Sequence, residues 1–553
     1  MSFDQIITEL NKVFEGIEGV PPHALTKILN AFEVLIAQIN LLKEENQKLK
    51  DENSRLKGEQ GKPEVRKQTK PDKDVSSESE RAPPAKPRKK RSKKKGLVSI
   101  DRTEQCTIPK ETLPADAQFK GYRSVVVQDI QIRANNVEFQ KEVYYSPSLR
   151  KTFIAETPSG YEGGFGPVVK SLILEMHYNA QVTHSSLEQF FKNHEISISQ
   201  ATIARILTEN LSLFHIEKDV VVSAGLASGY QQMDDTSARI KGQNYYTHVL
   251  CNAFYIAYFT RPHKDRLTII EILSQGHLDF HFNEIAYGLM VAMGLSAKIL
   301  SLIRLKNPAS TMNREELEGF LSVCFPNPEN KPGNYFNSQR IIREAAAITA
   351  YQSLPYAVQI LLTDDAPQFK AITDFLALCW VHDGRHYKKL TPALAINQEI
   401  LARFQDLYWE YYRKLLAYKI APDSDQAELL RKDFRILFKT KTGYEELDRR
   451  IEKTNLKESA LLLVLQHPEL PLHNNTSELG ARRQARYRDI SFHTMSEAGT
   501  EAKDTFMTIS QTAKKLCVNI YHYIHDRITK KYQMPSLADT IEERFQQSFF
   551  STA

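Results

Sequence analysis

From Leu25 onward, apolar residues recur every seven positions, with Ile28, Leu35, Leu42, Leu49 and Leu56 at one site of the repeat and Leu25, Phe32, Ile39, Asn46 and Asn53 three residues before each. A strict seven-residue repeat demands an amphipathic helix whose seam faces another helix. Pro21 and Pro22 pre-set its start, and Gly58 and Gly61 close it. Asparagine at two seam positions favours a parallel two-stranded coil, because the amides pair across the seam only in register. Glu45 and Glu52 face Lys50 and Lys57 of a second copy, the charge pattern of a self-complementary pair. The repeat predicts a homodimer, or a higher multimer, joined through Leu35, Leu42, Asn46, Leu49, Asn53 and Leu56. A helix folded back on its own chain is the competing arrangement.

Residues 61–97 carry almost no large apolar side chains, so they cannot offset the entropy of ordering and read as a disordered basic linker. The net charge of the whole chain is only +6, but Lys86, Arg88, Lys89, Lys90, Arg91, Lys93, Lys94 and Lys95 crowd into this linker. That density suits phosphate contacts that are salt-dependent and indifferent to base sequence. The five cysteines are scattered without a paired spacing, which fits a reducing compartment. The first residues, MSFDQIITELNKVFEG, lack the basic and apolar regions of a secretory signal, and apolar runs such as 286–295 fall short of the ~20 residues needed to span a bilayer. The expectation is a cytoplasmic protein without a membrane partner.

Residues 98–160 read as a small β-rich module, with strand-like runs YRSVVVQDIQIRA and NVEFQKEVYY separated by Asn135 and Asn136. Residues 161–225 read as helical. Within them SSLEQFFKNH and SQATIARILTEN, the second capped by Ser199, have the look of a helix-turn-helix, which packed helices of no such function also have. Residues 226–526 then form the largest domain, with helical insertions at about 271–352 and 394–466. Residues 527–553 read as a tail.

Three acids in that domain stand where phosphodiester chemistry would want them. Such chemistry needs an activated oxygen nucleophile and a stabilised leaving oxygen, which two Mg²⁺ ions roughly 4 Å apart supply when carboxylates hold them. In GYQQMDDTSARI a strand is expected to end at Asp234, with two more strands, 245–250 and 253–259, after it. In AVQILLTDDAPQF the apolar run 360–362 reads as a buried strand ending at Asp364. In LPLHNNTSELGARRQARYR, Asn475 or Thr476 would cap a helix bearing Glu478, with Arg482 and Arg486 on the same face for DNA phosphates. Antiparallel strands with an acid on the first are the opening of a ribonuclease H-like α/β domain. Adjacent acids leave Asp234 or Asp235, and Asp364 or Asp365, open on residue pattern alone.

These motifs resemble the insertion sequence 66 family of bacterial DDE transposases. Asp234-Asp235-Thr236 stands in place of the family's Asp-Glu-Thr, and TDDAPQF, followed by Cys379-Trp380-Val381-His382 and Arg385, stands in place of Thr-Asp-Gly and Cys-Trp-x-His-x-x-Arg. His473-Asn474-Asn475-Thr476-Ser477-Glu478 with Arg482 matches the third motif, with His473 replacing the usual Asp, and SEAGTEAKDTFMTISQTAKKL with Tyr523 matches the last. The resemblance implies metal-dependent cleavage and strand transfer of double-stranded DNA, with Asp234, Asp364 and Glu478 binding two Mg²⁺ ions for which Mn²⁺ could substitute. It places the first acid of each Asp pair at the metals and implies a nucleoid-associated protein acting with other element-encoded proteins. Family members usually carry cysteine pairs before the catalytic domain, whereas only Cys106 stands here, and one thiol cannot make a structural zinc site, so no zinc is expected. Cys379 and Trp380 read as packing, and His382 and Arg385 as DNA-facing or supporting groups. The rival readings are a non-catalytic DNA-binding protein or repressor and a structure-selective nuclease.

Overall fold

The computed structural model describes residues 8–10, 12–13, 22–56, 99–114, 116–306, 311–326 and 332–550. The linker lysines and arginines, Lys89, Lys90, Arg91, Lys93, Lys94 and Lys95 included, lie outside the described residues. The heptad segment forms one helix, Pro22–Leu56. Leu29 and Ile36 are buried against Leu394, flanked by Leu25 and Phe32. Between them, the Glu33 carboxylate accepts hydrogen bonds from the backbone N–H groups of Ala393 and Leu394, both at 2.9 Å, and from Asn397 Nδ2 at 3.1 Å. Those donors belong to the start of helix Ala395–Ile420, whose own cap residue Leu394 offers no side chain, so Glu33 satisfies that end. Asn30 does the same for helix Glu445–Asn455, accepting from Glu445 N at 3.1 Å while donating to Gly443 O at 3.0 Å. The folded-back arrangement thus holds for the first turns. Leu35, Leu42 and Leu49 face away, each more than half exposed, and leave the heptad seam open. By length and composition His23–Lys50 is also apolar enough to cross a bilayer, contrary to the sequence expectation. Only a small part of that apolar window is buried, through Leu29 and Ile36, and its polar members Asn30 and Glu33 are bonded to protein.

The β-rich expectation for 98–160 is corrected. Among its described residues only a two-stranded hairpin forms, β1 (Val143–Ser146) with β2 (Lys151–Ile154), pairing Val143 with Ile154. The first strand-like run stays irregular, with Val125, Val127 and Ile130 more than three-quarters exposed. Alternating apolar residues make a strand only when a neighbour supplies the ladder, and these residues meet none.

The central sheet has five strands, β3 (Gln231–Ile240), β4 (Gln243–Cys251), β5 (Ile256–Arg261), β6 (Ile360–Thr363) and β7 (Phe375–Leu378), in the order β5-β4-β3-β6-β7. The first three are antiparallel neighbours, while β6 joins β3, and β7 joins β6, in parallel. Strand β3 runs six residues past Asp234 instead of ending there, because β4 pairs with it as far as the turn at Lys241 and Gly242. Edge strand β5 is covered by helix Glu497–Lys515, whose Asp504, Thr508 and Thr512, four residues apart, accept from the N–H groups of Thr260, Tyr258 and Ile256 at 2.6, 3.1 and 3.2 Å. One helix face thereby satisfies the outward donors of an edge that would otherwise recruit another strand.

Both sheet faces are covered. Met233, Leu250, Ala257 and Phe259 belong to the main core, built with helices Ser212–Leu226, Arg266–Leu273 and Pro332–Gln352. On the opposite face Val249, Ile256 and Tyr258 meet helix Asn475–Ser491. The two helices of 161–225 form as expected, His184–Asn193 capped by Thr183 and Gln200–Thr208 capped by Ser199, and they bury Leu187, Phe191, Ile203 and Leu207 in the main core. The second helical stretch has a core of its own around Trp380, Tyr408, Tyr411, Phe434 and Phe438. The expected tail is instead a docked helix, Leu537–Phe550, with Leu537 and Ile541 fully buried and Phe545 against Phe254.

Candidate active site

Parallel pairing of Gln232 with Leu362 sets the register of β3 and β6. Two residues beyond that pair come Asp234 on β3 and Asp364 just past the end of β6, near enough for their charges to interact. The third acid comes from helix Asn475–Ser491, which lies flat on the sheet at Gly480, where a Cβ would come within 2.6 Å of Ile256 Cδ1 and 2.7 Å of Val249 Cγ1. The expected cap at Asn475 or Thr476 is not used. Asn474 holds the cap position without a side-chain capping bond, and its amide donates instead to Met233 O at 2.9 Å, tying the start of the helix to the strand beside Asp234.

The acids feel one another. Burial, then the charges of Asp364, Glu478 and Asp235, push the Asp234 carboxyl up to about 7, although the Asp235 N–H donates to it at 2.8 Å. The two acids of each Asp pair have different partners. Asp235 has Lys264 at 3.6 Å and accepts from Gln368 at 3.1 Å. Asp365 has Lys457 at 2.7 Å and Lys370 at 3.2 Å. Burial raises the Asp365 carboxyl, but the two lysines outweigh it and leave it below the usual carboxylate range. The second acid of each pair therefore has a lysine beside it, while among the described residues no lysine or arginine bridges to Asp234. Lys457 also reaches Asp383 at 3.2 Å, so the second helical stretch braces this side of the site.

Glu478 is differently placed. Arg385 grips it with both arms, Nη1 to Oε1 at 3.0 Å and Nη2 to Oε2 at 2.9 Å, and both side chains are largely buried. Arg385 lies on helix Trp380–Lys388, which Cys379 caps through its Sγ, so the chain turns helical at Trp380 rather than continuing β7. His382 of that helix sits within reach of the same charges; burial lowers its pKa against the pull of Asp364 and Glu478. Trp380 is fully buried and donates to Leu461 O at 2.8 Å. Arg482 is half-buried and Arg486 exposed, neither with a partner among the described residues. Among the described residues no three His, Cys, Asp or Glu side chains are close enough to hold a metal ion. Lys264 and Lys457 carry no local signal in the sequence, since each finds its acid across the fold, whereas Lys370 follows its acid by five residues.

The fold and this cluster define a mixed α/β protein with a group of interacting acids where β3 adjoins the end of β6. Within that class, the profile described as "Transposase IS66 family" matches residues 162–290. An uncharacterized protein of Sinorhizobium fredii, y4jO, is 31% identical over 314 residues, covering 56% of this chain and 94% of that one. The chain belongs to the Transposase IS66 family, and its function is transposase-related.

Proposed function

We propose that the chain is a DNA transposase that cuts and rejoins DNA at Asp234, Asp364 and Glu478 on a ribonuclease H-like sheet. The strand order, with three antiparallel strands and two parallel ones added at the first, supports that fold reading. The observation that carries the chemistry is the pairing pattern. Lysines stand beside Asp235 and Asp365, while Asp234 lies near enough to Asp364 for their charges to interact and is driven up to about 7 by burial and neighbouring acids. A pair of strained hard oxygen donors fits Mg²⁺ or Mn²⁺. Glu478 would complete the set only once Arg385 lets it go, so holding two ions requires an exchange of partners and a closer approach of the three acids.

Bound there, the ions would activate the attacking oxygen and stabilise the departing one. Asp234 and Asp364 anchor from rigid strands; the Asn474 bond to Met233 O sets the entry of the Glu478 helix. Arg385, once released, and Arg482 and Arg486 offer guanidinium groups to the DNA backbone. The basic linker adds affinity that does not depend on sequence. The exposed Leu35, Leu42 and Leu49 seam joins two copies and gathers two element ends, in the cytoplasm at the nucleoid.

The test is incubation of the protein with its flanking element DNA and Mg²⁺, with mapping of the 3′ ends. Cleavage at the element boundary, lost in Asp234→Asn, is expected; an Asp234→Asn protein cutting at the parental rate would sink the assignment. The pairing of Glu478 with Arg385 favours a second reading, a DNA-binding protein without catalysis. Specific end binding with no cleavage in either metal would establish it.

A further inference from the structure

Beyond Asp234, β3 carries on to a cleft of about 830 Å³ lined by Arg239, Tyr245, Tyr246, Arg488, Phe492 and His493, with Asp489 as the acid among the lining. Arg239 is exposed and its guanidinium has no partner among the described residues. Arg488 is anchored on the open edge of β3, donating to Ser237 O at 2.7 Å and to the Ser237 hydroxyl. Phe492 is 75% exposed. Its backbone is at φ 56° and ψ −67°, and His493 N donates to Ser491 O at 2.6 Å, which makes a tight turn centred on the phenylalanine. That turn is rare and strained for a residue with a bulky side chain. It is held from outside: Lys241 N donates to Thr494 O at 3.0 Å, and Thr494 N donates to Arg239 O at 3.4 Å. Nothing in the core needs this ring, which the chain presents to solvent on a fixed backbone. Strain of that kind persists where surroundings impose it, and it collects at binding sites.

Aromatic faces beside guanidinium groups match unpaired nucleotides, whose bases stack on rings while their phosphates meet cations. A duplex keeps its base faces covered, so it gains only the phosphate contacts. From Asp234 to Arg239 the strand advances about 17 Å, the length of about five stacked nucleotides of one strand. We propose that this cleft binds unpaired DNA within about five nucleotides of the acid cluster, with Phe492 as the stacking platform. The inference rests on the reading of the acids as a DNA-cutting centre.

The experiment uses the full chain in EDTA, with two fluorescent DNAs of equal length, one fully paired and one with a five-nucleotide unpaired flank. The parental chain is expected to prefer the unpaired flank by about tenfold. Phe492→Gly, which suits the positive φ and so does not endanger folding, should erase the preference and leave duplex binding unchanged. Phe492→Trp should restore it. Equal preference in the parent and in Phe492→Gly overturns the proposal, as does a change in oligomeric state on sedimentation, which would make the ring a contact between copies. A flank preference in a protein that never cuts in Mg²⁺ would leave the cleft assigned and remove the catalytic reading. Cutting without the preference would do the reverse.

Discussion

Replacing Arg385 with glutamine should move stability and metal affinity in opposite directions. The guanidinium makes two charge-assisted bonds to Glu478, at 3.0 and 2.9 Å, between side chains that are 29% and 16% exposed. Hydrogen bonds to charged groups contribute about 1.5–3 kcal/mol, and partial exposure here screens that to about 1–2 kcal/mol for the pair. Arg385→Gln should therefore lower the melting temperature of the metal-free chain. The same change leaves Glu478 without its cation, so Mn²⁺ no longer competes with an ion pair, and its dissociation constant should tighten by about 5- to 30-fold, the same 1–2 kcal/mol expressed as an equilibrium. The readouts are thermal unfolding without metal and Mn²⁺ binding by calorimetry or electron paramagnetic resonance. A cycle with Glu478→Gln isolates the pair, because in that background Arg385→Gln should no longer tighten Mn²⁺ binding. Unchanged or weaker Mn²⁺ binding in the single variant would refute the idea that Arg385 withholds the third acid.

Four further outcomes are expected. Because the folded-state carboxyl of Asp234 lies near 7, above its unfolded value, its contribution to stability is full at low pH and is lost as pH rises toward and through 7; Asp234→Asn should flatten that dependence and stabilise the metal-free chain at pH 8 by on the order of 2–3 kcal/mol, read by denaturant melts at pH 5 and 8. Gly480→Ala would push a methyl into Ile256 and Val249, costing about 1–3 kcal/mol and loosening the Glu478 helix, seen as a lower melting temperature with weakened Mn²⁺ binding. Glu33→Ala removes three acceptor contacts at the start of helix Ala395–Ile420, so hydrogen exchange at Ala393 and Leu394 should rise, corresponding to about 1–2 kcal/mol; protection equal to the parent would refute the capping role. Leu42→Lys, on the exposed side of the heptad helix, should convert a dimer to a monomer in sedimentation without lowering the melting temperature of the body.

The sequence by itself determined the features whose cause is local. A seven-residue repeat makes Pro22–Leu56 helical whatever it meets, and the apolar run before Asp364 makes a buried strand. Ser199 caps its helix through its own neighbours, as expected. The failures were equally physical. The runs in 122–142 alternate like strands but meet no partner ladder, and 527–553 read as a tail although Leu537, Ile541 and Phe545 recur every four residues and dock the helix Leu537–Phe550.

What only the tertiary structure decided are the charge partnerships. Residue pattern left Asp234 against Asp235 and Asp364 against Asp365 open; the fold sets Lys264 beside Asp235, and Lys370 and Lys457 beside Asp365. Arg385 was expected to face DNA or to support the acids, and the fold puts it on Glu478, 93 residues away in the chain. The heptad helix shows the division within one element. Its repeat fixed that it is a helix with an apolar stripe, but Glu33 and Asn30 find the ends of two distant helices, and this decides which side of the stripe is covered and which stays open. Local spacing sets backbone conformation, whereas a charge or cap is satisfied by whatever donor folding brings within about 3 Å, a quantity that no window of sequence contains.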